Sequence, residues 1–272
     1  MTTPNPFDTF VQLYEDGKFR LAVRIWSPTT AIQSTRNCLA YPGWMDNAGS
    51  FDTLAPMLCN KLGITIAVVD PPGCGWSDHH PSRANSYADF EEPVLLFQLA
   101  NALGWDQFGL LAHSRGGAIS TLAAGLYPNR VQFLIVLDSS LSLSGMLGAD
   151  VMEAQERFSV RRMQLGLDHQ KYRVKKTFPT LDGLISASMS NAEFPKTRQT
   201  ATNIVMRHVR PSKGGWTYIH DNRLYGSTQF VHISEQQMRE FIVEITCPVL
   251  LVHCQDHFAK DHCAWRTPRA QR

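Results

Sequence analysis

The stretch Leu110-Leu111-Ala112-His113-Ser114-Arg115-Gly116-Gly117 places a serine between an apolar run and a small-residue run, Ala118 to Leu126. The apolar run, Phe108 to Leu111, predicts a buried strand, and the run after the serine predicts a helix. The two glycines permit a sharp turn and a close approach of strand and helix, which would expose the Ser114 hydroxyl. The pattern predicts a nucleophile elbow, whose serine attacks carbonyls when a base and an acid lie nearby.

Strand-like and helix-like segments alternate on both sides of this turn. Five apolar runs are typical of buried strands: Cys38 to Tyr41, Ile64 to Val69, Phe108 to Leu111, Val131 to Leu137 and Val249 to Val252. Three segments between them have a helical period: Phe51 to Lys61, Tyr87 to Leu103 and Ala118 to Leu126. Ahead of them, Phe10 to Trp26 predicts a β-hairpin, with Phe19 to Ile25 paired back on its predecessor. The alternation predicts an α/β fold whose mostly parallel sheet carries helices on both faces.

Ligands of such a fold bind beyond the carboxyl ends of the parallel strands. Five residues stand at these predicted ends: Tyr41, Asp70, Ser114, Asp138 and Cys254. Asp70 opens the loop Asp70-Pro71-Pro72-Gly73-Cys74-Gly75, whose prolines and glycines favour a rigid border to the site, so we assign Asp70 a structural role. The candidate site therefore lies at one edge of the sheet.

Composition narrows the class of partner. The chain has 272 residues, a net charge of +2 and 18% charged residues, and no basic block interleaves with aromatic residues. This argues against nucleic-acid binding and favours a small-molecule partner. The N-terminus lacks the features of a signal peptide, and no apolar run is long enough to span a bilayer. Six scattered cysteines without a C-x-x-C pair indicate reduced thiols, so we expect a soluble, cytoplasmic protein.

The chain divides into four predicted regions: a first part of the core (1–138), a helical cap insertion (139–233), a return to the core (234–256) and a divergent tail (257–272). In the cap region no strand-like run matches those of the core, and helical patterns are broken by Pro179, Pro195, Pro211 and Gly214-Gly215. The cap also carries a basic cluster, which either forms its solvated face or attracts an anionic substrate. Its members are Arg157, Arg161, Arg162, Lys171, Arg173, Lys175 and Lys176.

Two backbone N–H groups are candidates for an oxyanion hole. One belongs to Trp44, in the loop Tyr41-Pro42-Gly43-Trp44 after the third strand, and the other to Arg115, the residue after the serine. Such donors must be oriented before the reaction, because the negative charge on the carbonyl oxygen develops only in the transition state. The alternative interpretation of the loop is a plain strand-to-helix turn.

These segments, in this order and spacing, resemble the α/β-hydrolase fold. The stretch Gly-Trp-Met-Asp-Asn-Ala-Gly-Ser-Phe-Asp, residues 43–52, together with His113 to Gly117, resembles the serine hydrolase-like, or Kraken-type, branch. The resemblance implies a triad in the chain order nucleophile, acid and histidine. Two motif positions differ from the family: Pro42 stands where family members usually have histidine, and Ala112 replaces the first glycine of Gly-x-Ser-x-Gly.

The resemblance also indicates where the acid belongs. Asp256 follows the predicted strand Val249 to Val252 and matches the family position after the seventh strand. Asp138, after the sixth strand, is the alternative acid, since some superfamily members use that position. For both residues a cap or turn-forming role is the other interpretation.

No catalytic histidine is identified. In the family it follows an eighth strand, whereas residues 257–272 show no strand or amphipathic helix, so we expect the hydrolase body to lack its last strand and helix. The strand at Val249 to Val252 would then be an unprotected sheet edge. His257 and His262 are weak candidates for the base, and His113 should point away from Ser114. A different interpretation of the tail is a zinc site, although its spacing fits none well: His253, Cys254, Asp256, His257, Asp261, His262 and Cys263.

The resemblance implies a serine hydrolase that cleaves an acyl ester or similar bond through a Ser114 acyl-enzyme. A serine at the turn argues against the dehalogenases and epoxide hydrolases of this fold, which use an aspartate there. No cofactor is implied, and the expected partner is a small-molecule acyl substrate. The competing hypothesis is a catalytically inactive relative that binds a ligand or partner, because the histidine is missing.

Overall fold

The architecture comes from a computed structural model that describes residues 6–13, 19–29, 36–80, 87, 90–139, 141, 174–190, 195–225 and 235–254. Within these residues, seven strands form one sheet in the order β1-β2-β4-β3-β5-β6-β10. Their bounds are β1 (Phe7–Gln12), β2 (Arg20–Trp26), β3 (Asn37–Tyr41), β4 (Thr65–Val69), β5 (Phe108–His113), β6 (Val131–Leu137) and β10 (Val249–Val252).

The predicted hairpin and the predicted parallel sheet are both confirmed. β1 pairs antiparallel with β2, and β2 pairs antiparallel with β4. From β4 through β3, β5 and β6 to β10 every pairing is parallel. The carboxyl ends of these five strands therefore meet at one edge of the sheet, as the sequence predicted.

Helices cover both faces of the sheet. They are α1 (Leu54–Leu62), α2 (Glu92–Ala102), α3 (Arg115–Leu126) and, later in the chain, α6 (Glu235–Val243). Because successive side chains of a strand point to opposite faces, Leu39 and Tyr41 of β3 pack with α2 and α3, whereas Cys38 and Ala40 pack with α1. The two apolar cores that result hold the parallel strands in place beneath the candidate site.

The region predicted as a helical cap contains a small sheet that the sequence analysis missed. Its strands are β7 (Thr177–Phe178), β8 (Val209–Ser212) and β9 (Gly215–Tyr218), in the antiparallel order β7-β9-β8. The helices α4 (Leu181–Met189) and α5 (Arg198–Met206) pack against it through Leu184 and Val205.

In the described part of this region the helices are longer than the strands, as predicted, but the region is not helical throughout. Gly214-Gly215 is not a break between helices but the turn of a β-hairpin, in which the φ angles of 88° and 136° require glycine. Strands of two to four residues are too short to show a period in the sequence. The domain bounds at 138/139 and 233/234 stay predictions, because residues 142–173 and 226–234 lie outside the described chain.

A buried ion pair attaches the cap region to the core. The Arg207 guanidinium, 1% exposed, lies with its Nη2 at 2.9 Å from Oδ2 of Asp70, which is 0% exposed. Asp70 also accepts hydrogen bonds of 2.8 Å from the backbone N–H groups of Ala48 and Trp76. Desolvation raises the pKa of Asp70, and the charge of Arg207 opposes that rise. The ion pair and the two backbone hydrogen bonds agree with the structural role predicted for Asp70.

The strand β10 lies at the edge of the described sheet. Its apolar residues Val249, Leu250 and Val252 are 41%, 55% and 42% exposed. On its other side β10 pairs with β6, from Val249 opposite Leu134 to Val252 opposite Leu137. None of the described helices combines the length and the apolar character needed to cross a bilayer.

Candidate active site

Ser114 occupies a strained turn between β5 and α3. Its φ and ψ angles are 52° and −126°, a region that costs a non-glycine residue of order 1–3 kcal/mol and persists only where the surroundings enforce it. Its backbone N–H donates to the carbonyl of Leu137 at 3.1 Å, and its own carbonyl accepts from the N–H of Gly117 at 2.8 Å. The side chain makes no capping hydrogen bond to α3, so the hydroxyl is not used to start the helix.

Two glycines permit the close approach of this turn to the loop after β3. A Cβ atom on Gly116 would lie 2.5 Å from the carbonyl oxygen of Tyr41 and 2.6 Å from that of Pro42. A Cβ atom on Gly43 would lie 3.3 Å from the Cβ of Ser114. The loop that begins at Pro42 therefore lies against the serine, as the sequence predicted from order alone.

The two predicted oxyanion donors belong to the segments that meet here. Arg115 is the first residue of α3, and the N–H groups of a helix's first turn are not used by hydrogen bonds within the helix. Trp44 follows Gly43 in a turn that the N–H of Asp46 closes on the Gly43 carbonyl at 3.3 Å. The assignment of the two N–H groups to an oxyanion hole stays a prediction, and this arrangement is compatible with it.

Backbone strain is concentrated at this edge of the sheet. Among the described residues other than glycine, positive φ angles occur at Met45, Ser114 and Asp138, with values of 53°, 52° and 48°. Each follows the end of a parallel strand, β3, β5 or β6. Strain of this kind clusters at functional sites, because a sharp local geometry is held there against its own cost.

Asp138, the alternative acid, lies at the end of β6 beside the serine turn. Its N–H donates to the carbonyl of Val252 at 2.6 Å, and its Oδ1 accepts from the N–H of Cys254 at 3.0 Å. The carboxylate thus holds the chain that leaves β10. Asp256, the first choice for the acid, comes two residues after Cys254 and lies outside the described residues.

The structure brings no base to Ser114 within the described chain. The Ser114 hydroxyl has no hydrogen-bond partner there, and the candidates His257 and His262 lie outside the residues described. The imidazole of His113 lies beside Gly43, whose added Cβ would be 3.2 Å from Nδ1. Desolvation lowers the pKa of His113, against the opposing charge of Asp138.

Sequence reasoning missed two groups beside the serine turn, the carboxylate of Glu92 and the hydroxyl of Tyr41. Glu92 starts α2, is 3% exposed and accepts hydrogen bonds from Arg115 and Tyr41. A glutamate in the first turn of a helix is the normal pattern at a solvated helix start, so nothing in the sequence marked it as buried.

The described part of the chain offers no metal centre. No group of three or more His, Cys, Asp or Glu side chains converges there in a way that could hold an ion. Of the residues in the alternative zinc interpretation, only His253 and Cys254 are described.

The chain belongs to the α/β-hydrolase fold family. A model of that family matches residues 39–270, a range that includes residues 39–41 of β3, both candidate acids and Ser114. The matched range also runs past His257, where the predicted divergent tail begins.

The relatives confirm the resemblance to the serine hydrolase-like branch. A serine hydrolase-like protein of Dictyostelium discoideum is 29% identical over 235 residues, which are 85% of this chain and 62% of that protein. A probable serine hydrolase of Drosophila melanogaster is 27% identical over 219 residues, 78% of this chain and 62% of that protein. The chain thus spans 62% of the length of each of these two relatives.

A solved structure supports the same fold. The crystal structure of a hypothetical protein from Pseudomonas aeruginosa PAO1 aligns with a TM-score of 0.75 and 28% sequence identity. The alignment covers 91% of this chain and 81% of that one.

Proposed function

We propose that this protein is a serine hydrolase that cleaves an ester, or a similar acyl bond, through an acyl-enzyme on Ser114. One observation carries the proposal: a strained serine turn lies against a glycine loop, with the Gly43 and Ser114 backbones close enough that an added Cβ would meet the serine at 3.3 Å. The names of the curated relatives support the same reaction class.

In this mechanism the Ser114 oxygen attacks the acyl carbon of a small-molecule substrate, and its proton leaves with the alcohol of the ester; in the second step the attacking water returns a proton to Ser114. The carbonyl oxygen becomes an oxyanion, which the N–H groups of Trp44 and Arg115 stabilise. Removal of one such donor typically costs about two to three orders of magnitude in rate. Collapse of the intermediate expels the alcohol, and attack by water then releases the acid and frees Ser114.

The acid of the triad is proposed to be Asp256, with Asp138 in a supporting role. The hydrogen bond from the Cys254 N–H to Asp138 Oδ1 supports this division, because it commits one oxygen of Asp138 to holding the chain just after β10. We expect Asp256→Asn to reduce the activity by about four orders of magnitude, as loss of a triad acid does. Asp138→Asn should reduce it by at most about tenfold, since the amide oxygen of asparagine can still accept the hydrogen bond from the Cys254 N–H.

The second candidate function is that of an inactive relative that binds a ligand with the same pocket. The observation that favours it is the Ser114 hydroxyl, which has no hydrogen-bond partner in the described chain. Loss of the histidine of such a triad typically costs about four to six orders of magnitude in turnover. An unassisted serine would still react at a rate that rises about tenfold per pH unit, because only its small ionised fraction is nucleophilic.

Labelling with a fluorophosphonate separates the two functions. The serine oxygen forms a bond to phosphorus, fluoride leaves, and the serine proton is lost. We expect rapid labelling that Ser114→Ala abolishes, with a plateau in its pH profile that reports a base. Ser186→Ala, at an exposed serine of α4, is the matched control and should label as the wild type does. Labelling no faster than that of the Ser114→Ala protein would refute the hydrolase and leave the binding protein.

A further inference from the structure

A buried carboxylate lies beside the serine turn and belongs to no part of the proposed triad. Glu92 accepts two hydrogen bonds from the guanidinium of Arg115, from Nη2 to Oε1 at 2.6 Å and from Nη1 to Oε2 at 3.2 Å. Glu92 is 3% exposed and Arg115 is 7% exposed. The pair is therefore bidentate and shielded from water, a geometry that fixes the guanidinium plane as well as its position.

The same carboxylate holds the end of the strand that leads into the oxyanion loop. The hydroxyl of Tyr41, the last residue of β3, donates to Oε2 of Glu92. Pro42, Gly43 and Trp44 follow immediately in the chain. Glu92 thus connects α2 to both segments that border Ser114, the start of α3 and the end of β3.

A third contact joins the residues of the two candidate donors directly. The Cζ of Arg115 lies 5.0 Å from the centroid of the Trp44 ring, within the range of a cation–π interaction. The side chain of Arg115 therefore lies between Glu92 and Trp44. Rotation of the guanidinium away from Glu92 would break this contact with the Trp44 ring.

Stability alone is a weak reason for such a pair. Desolvation raises the pKa of Glu92, against the charge of Arg115, which shows that the site penalises the charge it holds. Apolar residues of similar volume often replace a buried ion pair without loss of stability. An apolar residue in place of Glu92 would not form the directional hydrogen bonds with Arg115 and Tyr41.

We propose that Glu92 is a positioning residue that sets the separation of the two oxyanion donors, acting on Arg115 directly and on the Trp44 loop through Tyr41. This inference rests on the proposed function, because it assigns the two N–H groups to an oxyanion hole. Glu92 itself contacts no substrate atom in this scheme.

The test uses the full chain and the fluorophosphonate, with the labelling rate separated into its maximal rate constant and its half-saturating concentration. Loss of a whole donor costs about 100- to 1,000-fold, so we expect misplacement to lower the maximal rate constant about 100-fold in Glu92→Ala and about 10-fold in Glu92→Gln. The half-saturating concentration should stay within about twofold, because ground-state binding does not use the oxyanion donors.

Tyr41→Phe tests the second arm of the contact. It removes only a hydroxyl and should lower the maximal rate constant about threefold, while Tyr41→Phe added to Glu92→Gln should cost nothing further, because both act through one carboxylate.

The matched control is Asp52→Asn. Nη1 of Arg24, in β2, donates to both carboxylate oxygens of Asp52, at 2.9 and 2.8 Å, so the substitution tests a weakened ion pair away from Ser114. Its labelling constants should equal those of the wild type.

Hydrogen exchange tests the positioning without any activity. The N–H of Asp46 bonds within the loop and that of Gly117 within the turn, while the N–H of Ser114 joins the turn to the Leu137 carbonyl at the end of β6. In Glu92→Gln we expect these amides to exchange about tenfold faster, while those of β6 are unchanged, since local opening and global unfolding are separate events. Unchanged exchange at the three amides overturns the inference. Failure of the wild type to label overturns the proposed function instead, and the exchange measurement still decides the role of Glu92.

Discussion

Replacement of Arg207 by methionine tests whether the buried ion pair attaches the cap region to the core. Asp70 would lose a guanidinium that reaches it from Nε at 3.1 and 3.2 Å and from Nη2 at 2.9 Å. It would keep the backbone N–H groups of Ala48 and Trp76. A carboxylate that is 0% exposed would then lack a counter-charge. We expect a large loss of stability, because breaking a buried pair typically costs about 3–5 kcal/mol.

The structure limits this loss and makes it depend on pH. The variant can neutralise Asp70 by protonation, which at pH 7 costs about 4 kcal/mol for a carboxyl whose ordinary pKa is 3.8. At pH 5 the same protonation costs about 2 kcal/mol. Between these pH values the folded variant retains a proton that its unfolded chain has lost, so its stability deficit relative to the wild type must shrink as the pH falls.

The assay is urea denaturation followed by far-ultraviolet circular dichroism, with wild type and variant compared at pH 7 and pH 5. Asp8→Asn is the matched control: Asp8 also pairs with Arg207, at 2.6 Å, but is 32% exposed in its side chain. Since partly solvated pairs contribute little, its loss should cost about 1 kcal/mol or less. A deficit of Arg207→Met below about 1 kcal/mol, or one that is equal at the two pH values, would refute the reasoning.

Three further tests use a buried histidine, a close backbone contact and the strained serine. Desolvation and the charge of Lys175 lower the pKa of His208 from 6.5 to about 4. Between these two pH values the unfolded chain binds a proton that the folded protein does not bind. Acidification from pH 6.5 to 4 should therefore lower the free energy of unfolding by about 3 kcal/mol. In urea titrations at these two pH values, the stability of His208→Gln should fall by correspondingly less. If acidification lowers the stability of both proteins equally, His208 is not the cause of the pH dependence. Gly116→Ala would place a Cβ 2.5 Å from the Tyr41 carbonyl oxygen. We expect the free energy of unfolding in urea to fall by about 2 kcal/mol and fluorophosphonate labelling to be slower. Wild-type values for both measurements would exclude the close contact. Ser114→Gly relieves a φ of 52° and should raise the free energy of unfolding by about 1 kcal/mol while it abolishes labelling, whereas a lower stability would show that the turn is not strained.

Much of the fold was predictable because its signals are local. The apolar runs at Cys38 to Tyr41 and Val131 to Leu137 became β3 and β6, since each is a continuous buried segment of the length of one strand. Ser114 was predictable for the same reason: its strand, its glycines and its helix are adjacent in the chain. The short strand Gly215–Tyr218 was not, because four residues are too few to show a period and one of its partners, β7, lies beyond α4 and α5 in the chain.

The contacts around the site depended on distance along the chain. Glu92 and Arg115 are 23 residues apart, and Arg207 and Asp70 are 137 residues apart. In the sequence each is an ordinary charged residue of the kind that most often faces water. Only the packing of α2 against α3, and of the cap region against the core, removes the water and makes each pair specific.

The sequence by itself determined the order of strands and helices and the serine at the turn, because hydrophobic period and turn glycines act over a few residues. The tertiary structure alone decided which charges are buried together and how closely the Pro42 loop lies to Ser114. Those features depend on parallel strands that meet edge to edge although they are distant in the chain. A serine in a turn is therefore a property of the sequence, while the separation of that serine from the two N–H groups proposed as oxyanion donors is a property of the fold.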